Sequence, residues 1–340
     1  MKILVLTTSY PRSADDVAGV FVRDQVEHLR ASGVEVEVVA PASFRHFGIA
    51  YGDGILGNLR RQPWKVVLLP LFLLAFVRAA RKAAPRADLV HAHWLPAALP
   101  ALATRKPFVV QLWGSDVELA RRLPWAFRWL VRRSRLVFAA SQDLAVAGEE
   151  LGGSVALVPN GVTLPDDLAE PEEPPHVLYV GRLSEEKGVR ELAEATRGLQ
   201  RRIVGDGPLR DLFPDALGFV PPRELGPYYE RAAVVVCPSR REGFGVVARE
   251  AMAYGRPVVA TRVGGLRDAV DDEVTGLFVP PRDASALRAA IERLLGDEDL
   301  RRHLGSAARE KARGHWSWEV ATGAMLDGYR TATTFVETSG

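Results

Sequence analysis

The sequence predicts an α/β protein made of two successive doubly wound domains. At 340 residues, the chain is too long for one ordinary hydrophobic core. Short apolar runs alternate with helical segments in two separate series, a pattern typical of parallel sheets covered by helices. Between the two series lies the polar, proline-rich stretch 164–175, which has little to bury and is predicted to be an interdomain linker.

The first series occupies residues 1–163 and predicts an N-terminal Rossmann-like domain. Its apolar runs are continuous rather than alternating, as in strands buried on both faces. The predicted strands are Ile3–Thr7, Val34–Ala40, Leu89–Ala92, Phe108–Leu112 and Leu136–Ala140. The predicted helices between them are Phe21–Ala31, Val66–Ala83 and Pro124–Arg133.

The second series predicts a C-terminal Rossmann-like domain over residues 176–313. Its predicted strands are Val177–Val180, Arg202–Val204, Leu217–Val220, Val234–Cys237, Val258–Thr261 and Gly276–Val279. Its predicted helices are Gly188–Leu199, Leu225–Ala232, Val246–Tyr254, Ala284–Leu295 and Asp299–Arg313. Residues 314–340 carry aromatic side chains at helical spacing, so we expect a last helix that crosses back toward the N-terminal domain.

The composition, with 47% apolar and 25% charged residues, is that of a soluble globular protein. No apolar run reaches the ~20 residues that a membrane span requires, and the closest, Val66–Val77, is expected to be a buried helix. The first residues are too short and too weakly charged for a secretory signal. Cys237 is the only cysteine, which excludes an internal disulfide and favours a reducing cytoplasm.

The charge is unevenly distributed between the two halves of the chain. Residues 1–163 contain 20 Lys and Arg against 13 Asp and Glu, a net charge of +7. Residues 164–340 contain 24 against 29, a net charge of −5. A basic first half favours an anionic surface or acceptor as its partner. A GC-rich genome favours arginine codons and would produce the same excess of basic residues.

Two glutamates flank a glycine-containing stretch at the end of a predicted strand. Glu242 and Glu250 lie on either side of residues 243–249, where the strand Val234–Cys237 is followed by a helix. Open α/β sheets bind ligands at this edge, and the helix start offers N–H groups to an anion. At helical rise the two carboxylates are roughly 12 Å apart, about the span of a diphosphate with a sugar at each end. The alternative is one loop glutamate and one solvated helix glutamate.

Two cations occupy the corresponding position after the first strand of the second series. Arg182 and Lys187 lie between the strand Val177–Val180 and the next helix. Cations at the carboxyl end of a strand are suited to holding phosphates. A solvated loop with ordinary surface ion pairs is the alternative interpretation.

Taken together, these motifs resemble the donor half of the family 4 retaining glycosyltransferases. The resemblance rests on five motifs in order: Gly181-Arg182 with Lys187-Gly188; Gly205-Asp206-Gly207-Pro208; Pro238-Ser239 with Glu242-Gly243-Phe244-Gly245; Glu250-Ala251-Met252-Ala253; and Gly255-Arg256-Pro257 through Gly264-Gly265. It covers nearly the whole chain, less sharply in the first half. It implies the GT-B fold, in which two Rossmann-like domains face each other across a cleft.

The resemblance also implies roles for individual residues. Arg182 and Lys187 would neutralise the donor diphosphate, Glu242 would hold hydroxyls of the donor sugar, and Glu250 would bind the ribose. A further set would contact the donor: the backbone N–H groups of Phe244, Gly245 and Val246, the base-side residues Gly205, Phe219 and Val220, and Gly19 after the first strand.

The acceptor side of the predicted cleft is marked by His93, Trp113 and Asp116. Many relatives have a histidine where Trp113 stands, which puts histidine-assisted proton transfer there in doubt. Trp113 would instead provide an apolar platform for an acceptor sugar, and Asp116 would orient a hydroxyl. His91 and His93 as metal ligands lack a third partner, so a partly buried strand-end histidine is the favoured alternative.

Two remaining motifs could indicate a metal site and a membrane contact, but each also has another interpretation. Asp297-Glu298-Asp299 matches the D-x-D pattern of metal-dependent transferases, but it begins a helix and is interpreted as helix-capping acid. We therefore expect no metal and no other cofactor. Residues 123–135 mix Trp and Arg. They predict either a core helix with a basic solvent face or a helix on an anionic membrane that brings the enzyme to a lipid-linked acceptor.

The sequence thus predicts a cytoplasmic, metal-independent, retaining transferase that moves a hexose-type sugar from a nucleotide-diphosphate sugar to a glycan, glycolipid or small-molecule hydroxyl. Peripheral contact with the inner face of the membrane is part of this prediction, and nucleic acid is not an expected partner. A GT-B sugar-nucleotide epimerase and a catalytically silent nucleotide-sugar binder stay as alternatives. A two-domain NAD enzyme is set aside because residues 7–12 lack Gly-x-Gly-x-x-Gly.

Overall fold

A computed structural model describes residues 1–13, 16, 18–51 and 54–334, and divides the chain into two compact units. Unit 1 comprises Met1–Asn160 together with the chain from Ala321, and unit 2 comprises Gly161–Val320. The predicted linker 164–175 lies within unit 2. There Arg309 donates to the carbonyl of Pro165 at 2.6 Å.

Unit 1 is built on a parallel sheet of six strands in the order β2-β1-β3-β4-β5-β6. The strands are β1 (Lys2–Leu6), β2 (Glu35–Val39), β3 (Leu89–His93), β4 (Phe108–Leu112), β5 (Leu136–Ala139) and β6 (Val155–Leu157). The helices are α1 (Val20–Ala31), α2 (Gly54–Arg61), α3 (Leu69–Ala83), α4 (Ala98–Ala103), α5 (Ser115–Arg122), α6 (Pro124–Val131) and α7 (Gln142–Glu150). Strands β3, β4 and β5 are buried along their whole length, as their continuous apolar runs predict.

Unit 2 is built on a parallel sheet of five strands in the order β11-β10-β9-β7-β8. The strands are β7 (Val177–Val180), β8 (Arg201–Val204), β9 (Val234–Cys237), β10 (Val258–Thr261) and β11 (Gly276–Val279). The helices are α8 (Val189–Ala195), α9 (Gly226–Arg231), α10 (Val246–Ala253), α11 (Leu266–Ala269), α12 (Ala284–Gly296) and α13 (Glu298–Trp316). The predicted α/β class with two doubly wound sheets is confirmed.

The last helix, α14 (Trp318–Thr334), contributes its buried face to the core of unit 1. Met325, Tyr329 and Ala332 lie in the same cluster as Ile3 and Val26. The Tyr329 hydroxyl lies 2.7 Å from Nδ1 of His91. Of the aromatic side chains at helical spacing, Tyr329 therefore lies on the core face of α14, whereas Trp316 ends α13 and packs on Arg249 in unit 2.

Helices α2, α4, α5, α7 and α11 were not predicted, and three further elements differ from the sequence prediction. Strand β6 was not predicted, because Val155–Leu157 is short and only partly buried. Leu217–Val220 is not a strand: Gly218 has a φ of 79° and makes only an isolated antiparallel bridge to Gly205. Two prolines follow at once, and they cannot donate to a sheet ladder.

The third difference concerns the apolar segment that contains Val66–Val77, which was expected to be buried. Within the described residues, one continuous helical segment, Pro63–Arg86, is long and apolar enough to cross a membrane by length and composition, and only 17% of its apolar window is buried. Such a helix also occurs in proteins that do not span membranes. Phe72 and Phe76 face the unit core, whereas Val67 is 72% exposed.

Candidate active site

Two of the predicted catalytic residues, Lys187 and Glu242, are in contact at the carboxyl ends of two adjacent strands of the unit 2 sheet. β7 and β9 are adjacent in the sheet although β8 lies between them in sequence, so their carboxyl ends form a topological switch point. Lys187 follows β7 and Glu242 follows β9. Their Nζ and Oε2 atoms are 2.6 Å apart in a half-buried ion pair. The Ser239 hydroxyl donates to the same Oε2 at 3.3 Å.

A glycine allows the two loops to approach this closely. Gly188, next to Lys187, has a φ of 66°, and a Cβ atom there would lie 1.9 Å from the carbonyl oxygen of Pro238. A side chain at this position would push the β7 loop away from the β9 loop. Gly188 is therefore required for the Lys187–Glu242 contact.

The remaining predicted cation, Arg182, lies in the same β7 loop with its side chain exposed. Its carbonyl accepts a hydrogen bond from the Tyr179 hydroxyl at 2.9 Å, which ties the loop to β7. The loop therefore presents one exposed guanidinium and one half-buried ammonium at the same sheet edge.

The loop after β9 leads directly into α10. Gly245 has a left-handed conformation and precedes the first residue, Val246. The first-turn N–H groups of any α-helix have no intrahelical acceptor, so this helix start is suited to an anion. Phe244 is buried, which anchors the loop to the unit core. The backbone N–H groups that are predicted to bind the donor, those of Phe244, Gly245 and Val246, thus lie a few residues after Glu242.

Arg249, which the sequence analysis did not single out, lies beneath this loop with only 1% of its surface exposed. Its guanidinium donates to the carbonyls of Phe244 and Gly265, the latter at 3.2 Å. The guanidinium carbon is 3.8 Å from the ring centroid of Phe244 and 4.5 Å from that of Trp316. Burial lowers the pKa of Arg249 to about 9, so the side chain is charged at neutral pH. An arginine on an amphipathic helix is ordinarily exposed, so the sequence contains no signal for this role.

Glu250 also has a partner that the sequence analysis missed. The Tyr229 hydroxyl, on α9, donates to Oε2 of Glu250 at 2.7 Å. Tyr229 is buried and stacks on Tyr254, with ring centroids 5.4 Å apart. The hydrogen bond holds the predicted ribose-binding carboxylate in one orientation.

The Tyr229→Phe variant is expected to weaken nucleotide binding by about fivefold. The substitution removes one hydrogen bond to a carboxylate, worth roughly 1 kcal/mol or more, and keeps the stacked ring. The dissociation constant of UDP, GDP or ADP, measured by calorimetry, checks this. Tyr254→Phe is the matched control, because Tyr254 belongs to the same ring stack without that hydrogen bond. Equal weakening by both variants would contradict the assignment.

The predicted base-side residues lie together at the other side of β7. Gly205 follows β8, and its N–H donates to the carbonyl of Gly218 at 2.8 Å. This places the next residues, Phe219 and Val220, beside the glycine loop. Phe219 is 57% exposed, which is unusual for a phenylalanine and leaves its ring available for stacking.

In unit 1, Gly19 lies at the start of α1 with a φ of 75°. A Cβ atom at this position would lie 2.3 Å from the carbonyl oxygen of Ser9. The loop after β1 therefore folds against the first turn of α1, and only glycine is accommodated there.

The Gly19→Ala variant is expected to lower the free energy of unfolding by about 2 kcal/mol more than Gly33→Ala does. Gly33 has a similar φ of 86°, but nothing lies within 4 Å of a Cβ atom there. Both variants introduce left-handed strain of about 1–2 kcal/mol, and only Gly19→Ala adds the clash. Urea denaturation of the two variants checks the difference. Equal losses would contradict the packing of this loop.

The predicted acceptor-side residues lie together after β3 and β4. The Trp113 indole N–H donates to Nδ1 of His93 at 3.3 Å, and the two rings stack. Because an indole N–H is only a donor, Nδ1 accepts and the proton of neutral His93 is on Nε2. Burial lowers the pKa of His93 well below its ordinary value, which keeps the ring neutral. His93 also stacks on His91 at 4.2 Å.

Asp116 is buried beneath this group, with its carboxylate bonded to backbone. It accepts from the N–H groups of Trp113, Gly114 and Val117 at 3.0–3.1 Å and from that of Leu95 at 3.2 Å. Burial raises its pKa, and these bonds oppose the increase. Asp116 therefore joins the loop after β3 to the loop after β4. Contact with an acceptor hydroxyl stays a prediction.

Two aromatic residues that the sequence analysis did not assign complete this group. Phe21 lies 4.3 Å from Trp113 and 5.6 Å from Trp94 by ring centroids. Trp94 has a φ of 66°, a strained conformation for a tryptophan at the end of a strand. Phe21, Trp94 and Trp113 form a half-buried aromatic platform. Among the described residues, no group of three or more His, Cys, Asp or Glu is arranged to hold a metal ion.

Two family models match this chain. The model described as Glycosyltransferase Family 4 matches residues 18–165, which contain the aromatic platform. The model described as Glycosyl transferases group 1 matches residues 174–297, which contain the Lys187–Glu242 pair.

Individual proteins are similar over most of the chain. A glycogen synthase of Mycobacterium tuberculosis is 31% identical over 288 residues, covering 73% of this chain and 69% of the relative. A sucrose-phosphate synthase of Thermosynechococcus elongatus has a similar structure, with a TM-score of 0.80 and 25% identity over 97% of this chain and 98% of that one. HepE of Anabaena, solved with UDP-glucose, has a TM-score of 0.70 and 20% identity over 97% of this chain and 100% of its own, and shows the same fold.

Proposed function

This chain belongs to the group 1 and family 4 glycosyltransferases and has their GT-B fold, and on that premise we propose that it uses a nucleotide-diphosphate sugar as its donor. It moves a hexose-type sugar to a hydroxyl acceptor, retains the anomeric configuration and requires no metal or other cofactor. The observation that carries the proposal is the Lys187–Glu242 ion pair at the switch point of unit 2.

The leaving nucleoside diphosphate gains negative charge as the sugar–phosphate bond breaks. Arg182 and Lys187 neutralise that charge, and the N–H groups at the start of α10 bind the same anion. No metal is needed for this step, because two side-chain cations and a helix start stabilise the leaving group. HepE, the solved neighbour that binds UDP-glucose, supports a donor of this class.

Glu242 holds the ammonium of Lys187 in place and accepts hydrogen bonds from hydroxyls of the donor sugar. Glu250, oriented by Tyr229, accepts bonds from the ribose. Phe219 and Val220 border the base next to Gly205. The donor is thus held along the carboxyl edge of one sheet, from β8 through β7 to β9.

The acceptor hydroxyl approaches the same face of the sugar that the diphosphate leaves, and a donor phosphate oxygen receives its proton. Retention then requires no covalent sugar–enzyme bond. His93 is not the base in this scheme, since its Nδ1 is occupied by Trp113 and its Nε2 carries a proton. The platform of Phe21, Trp94 and Trp113 supports the apolar face of an acceptor sugar. A glycan acceptor is consistent with the name of the M. tuberculosis relative, a glycogen synthase.

Thermal shift measurements with UDP, GDP and ADP sugars, followed by transfer assays with a glycan and lipid-linked acceptor panel, test the proposal. A bound donor raises the unfolding temperature, and at a fixed concentration a tighter-binding donor raises it more. Transfer should be unchanged by EDTA, and product NMR should show the donor's anomeric configuration. Binding without transfer or hydrolysis would favour a silent binder. An altered sugar formed without acceptor would favour an epimerase.

The sequence also predicted a cytoplasmic location with peripheral membrane contact. We keep both as part of the proposed function. The reason for the membrane contact is that a lipid-linked acceptor would require access to a membrane surface.

A further inference from the structure

The exposed large apolar side chains of unit 1 are concentrated in two short segments. Eight of them lie there: Trp64, Val66, Val67, Leu71 and Leu74 in the first, and Leu123, Trp125 and Trp129 in the second; Met1, Val146 and Leu157 lie elsewhere. The exposed fraction reaches 72% at Val67 and 73% at Trp125. Soluble proteins rarely expose large apolar residues in such groups, so these eight residues, here called the docking face, require a partner.

Both segments lie on one side of the unit 1 sheet. Helices α3 and α6 each pack against the same short helix, α4. The right-handed crossovers from β2 to β3, β3 to β4 and β4 to β5 all run in one direction along the sheet, which places their helices on one face. The docking face is therefore a single surface.

The apolar segment Pro63–Arg86 lies along this surface, and its opposite side is packed against the core of unit 1. Phe72, Phe76, Ala80 and Ala83 are buried in unit 1. Phe76 stacks on Phe44, which follows β2, with ring centroids 4.7 Å apart. Insertion across a bilayer would remove these side chains from their core. The amphipathic arrangement is that of a helix lying in a membrane interface.

The charge around the docking face is strongly positive. Residues 54–135 contain 15 Lys and Arg against 3 Asp and Glu, a net charge of +12. One of the three acids, Asp116, is buried and bonded to backbone. Arg78 on α3 and Arg128 on α6 are exposed next to the apolar residues, and Arg133 lies 4.0 Å above the Trp129 ring.

We propose that the docking face binds the surface of an anionic lipid bilayer. Tryptophans are suited to the interface between headgroups and acyl chains, and each surrounding Lys or Arg is attracted to anionic lipid. A second copy of this chain is a poorer occupant, because it would bring two faces of the same charge together. The composition of the face thus favours lipid over self-association.

The position of the docking face also indicates its use. Phe44 follows the carboxyl end of β2 and packs on Phe72 and Phe76, so the helical residues 63–71, which precede them, extend beyond that edge of the sheet. His93, Trp113 and Asp116 lie after β3 and β4 at the same edge. A docked bilayer would deliver a lipid-linked acceptor to these residues, an extension that rests on the proposed function.

Sedimentation with vesicles tests lipid binding without any donor or acceptor. The full chain is expected to bind phosphatidylcholine vesicles that contain phosphatidylglycerol, to bind phosphatidylcholine alone much more weakly, and to be released by salt. Arg128→Gln should lower the partition coefficient by about fivefold. The double variant Val67→Ser/Trp125→Ser should lose most of the binding. Leu157→Ser, which alters a 55% exposed residue outside the docking face, is the control.

Equal binding of all variants, or no salt-sensitive binding by the unmodified chain, would overturn the proposal. Sedimentation velocity without vesicles distinguishes self-association: a dimer that the double variant abolishes would assign the face to a second copy and overturn the lipid assignment. Thermal shift with nucleotide sugars should be the same for all these variants. If the unmodified chain bound no nucleotide sugar, the proposed function would be rejected. The vesicle assay would still test lipid binding, because it contains no donor.

Discussion

Replacing Glu242 with alanine is expected to reduce glycosyl transfer by about 10²–10³-fold, while the protein stays folded. The magnitude is that of removing one preorganised electrostatic contact from a transition state. Glu242 holds Lys187 at 2.6 Å, so its loss also frees the ammonium from its position at the switch point. The measurement is kcat with saturating donor, with the unfolding temperature recorded in parallel.

The matched control for Glu242→Ala is Glu186→Ala. Glu186 is exposed in the β7 loop, next to Lys187, so the control removes the same charge from the loop that Glu242 faces. Its kcat should change little. Wild-type transfer by Glu242→Ala would reject the assignment, and so would an equal loss in both variants.

A double-mutant cycle shows whether the ion pair acts as one unit. Lys187→Met alone should cost about as much transfer as Glu242→Ala, and the double variant should cost little more than either. Glu250→Ala should behave differently, raising the donor KM with a smaller effect on kcat, because the ribose is remote from the reacting carbon. Additive losses at Lys187 and Glu242 would mean that the two residues act separately.

The fold and the positions of the donor loops were predictable because both depend on local patterns. Continuous apolar runs mark buried parallel strands, and ligand-binding loops of such sheets follow the strands' carboxyl ends. On this basis Lys187 and Glu242 could be assigned to loops at the same edge of one sheet. Their direct contact could not, because it depends on strand order and on the close approach that Gly188 permits.

The residues that sequence reasoning missed act through tertiary contacts. Tyr229 orients Glu250 from a helix 21 residues earlier. The apolar run Val66–Val77 was expected to be buried because burial is the usual outcome for such composition. The structure buries only one side of it. Which side of the helix is exposed depends on tertiary packing, which a pattern of apolar residues cannot reveal.

Replacing Arg249 with alanine is expected to lower the free energy of unfolding of unit 2 by about 3 kcal/mol or more. The guanidinium lies between the rings of Phe244 and Trp316, so its removal leaves a cavity. The carbonyls of Phe244 and Gly265 also lose their donor in a buried environment. Chemical denaturation measures this loss directly.

Arg249→Met separates stability from function. An apolar side chain of similar volume fills the cavity and has no charge to desolvate, so Arg249→Met should lose less stability than Arg249→Ala. It cannot donate to the two carbonyls that hold the loop after β9 against the loop after β10. We therefore expect a smaller loss of unfolding free energy than in Arg249→Ala, together with a donor KM raised by about tenfold, from the loss of roughly 1–2 kcal/mol of loop positioning.

Arg301 provides the control that decides between these interpretations. It is a buried arginine of the same unit, and it donates to the carbonyls of Leu294 and Leu295 at 2.7 Å. Those carbonyls lie at the end of α12, outside the donor loops. Arg301→Met should therefore change stability without changing the donor KM. If both variants raise the KM equally, Arg249 is a general structural residue. If only Arg249→Met does, the buried guanidinium positions the loop that binds the donor.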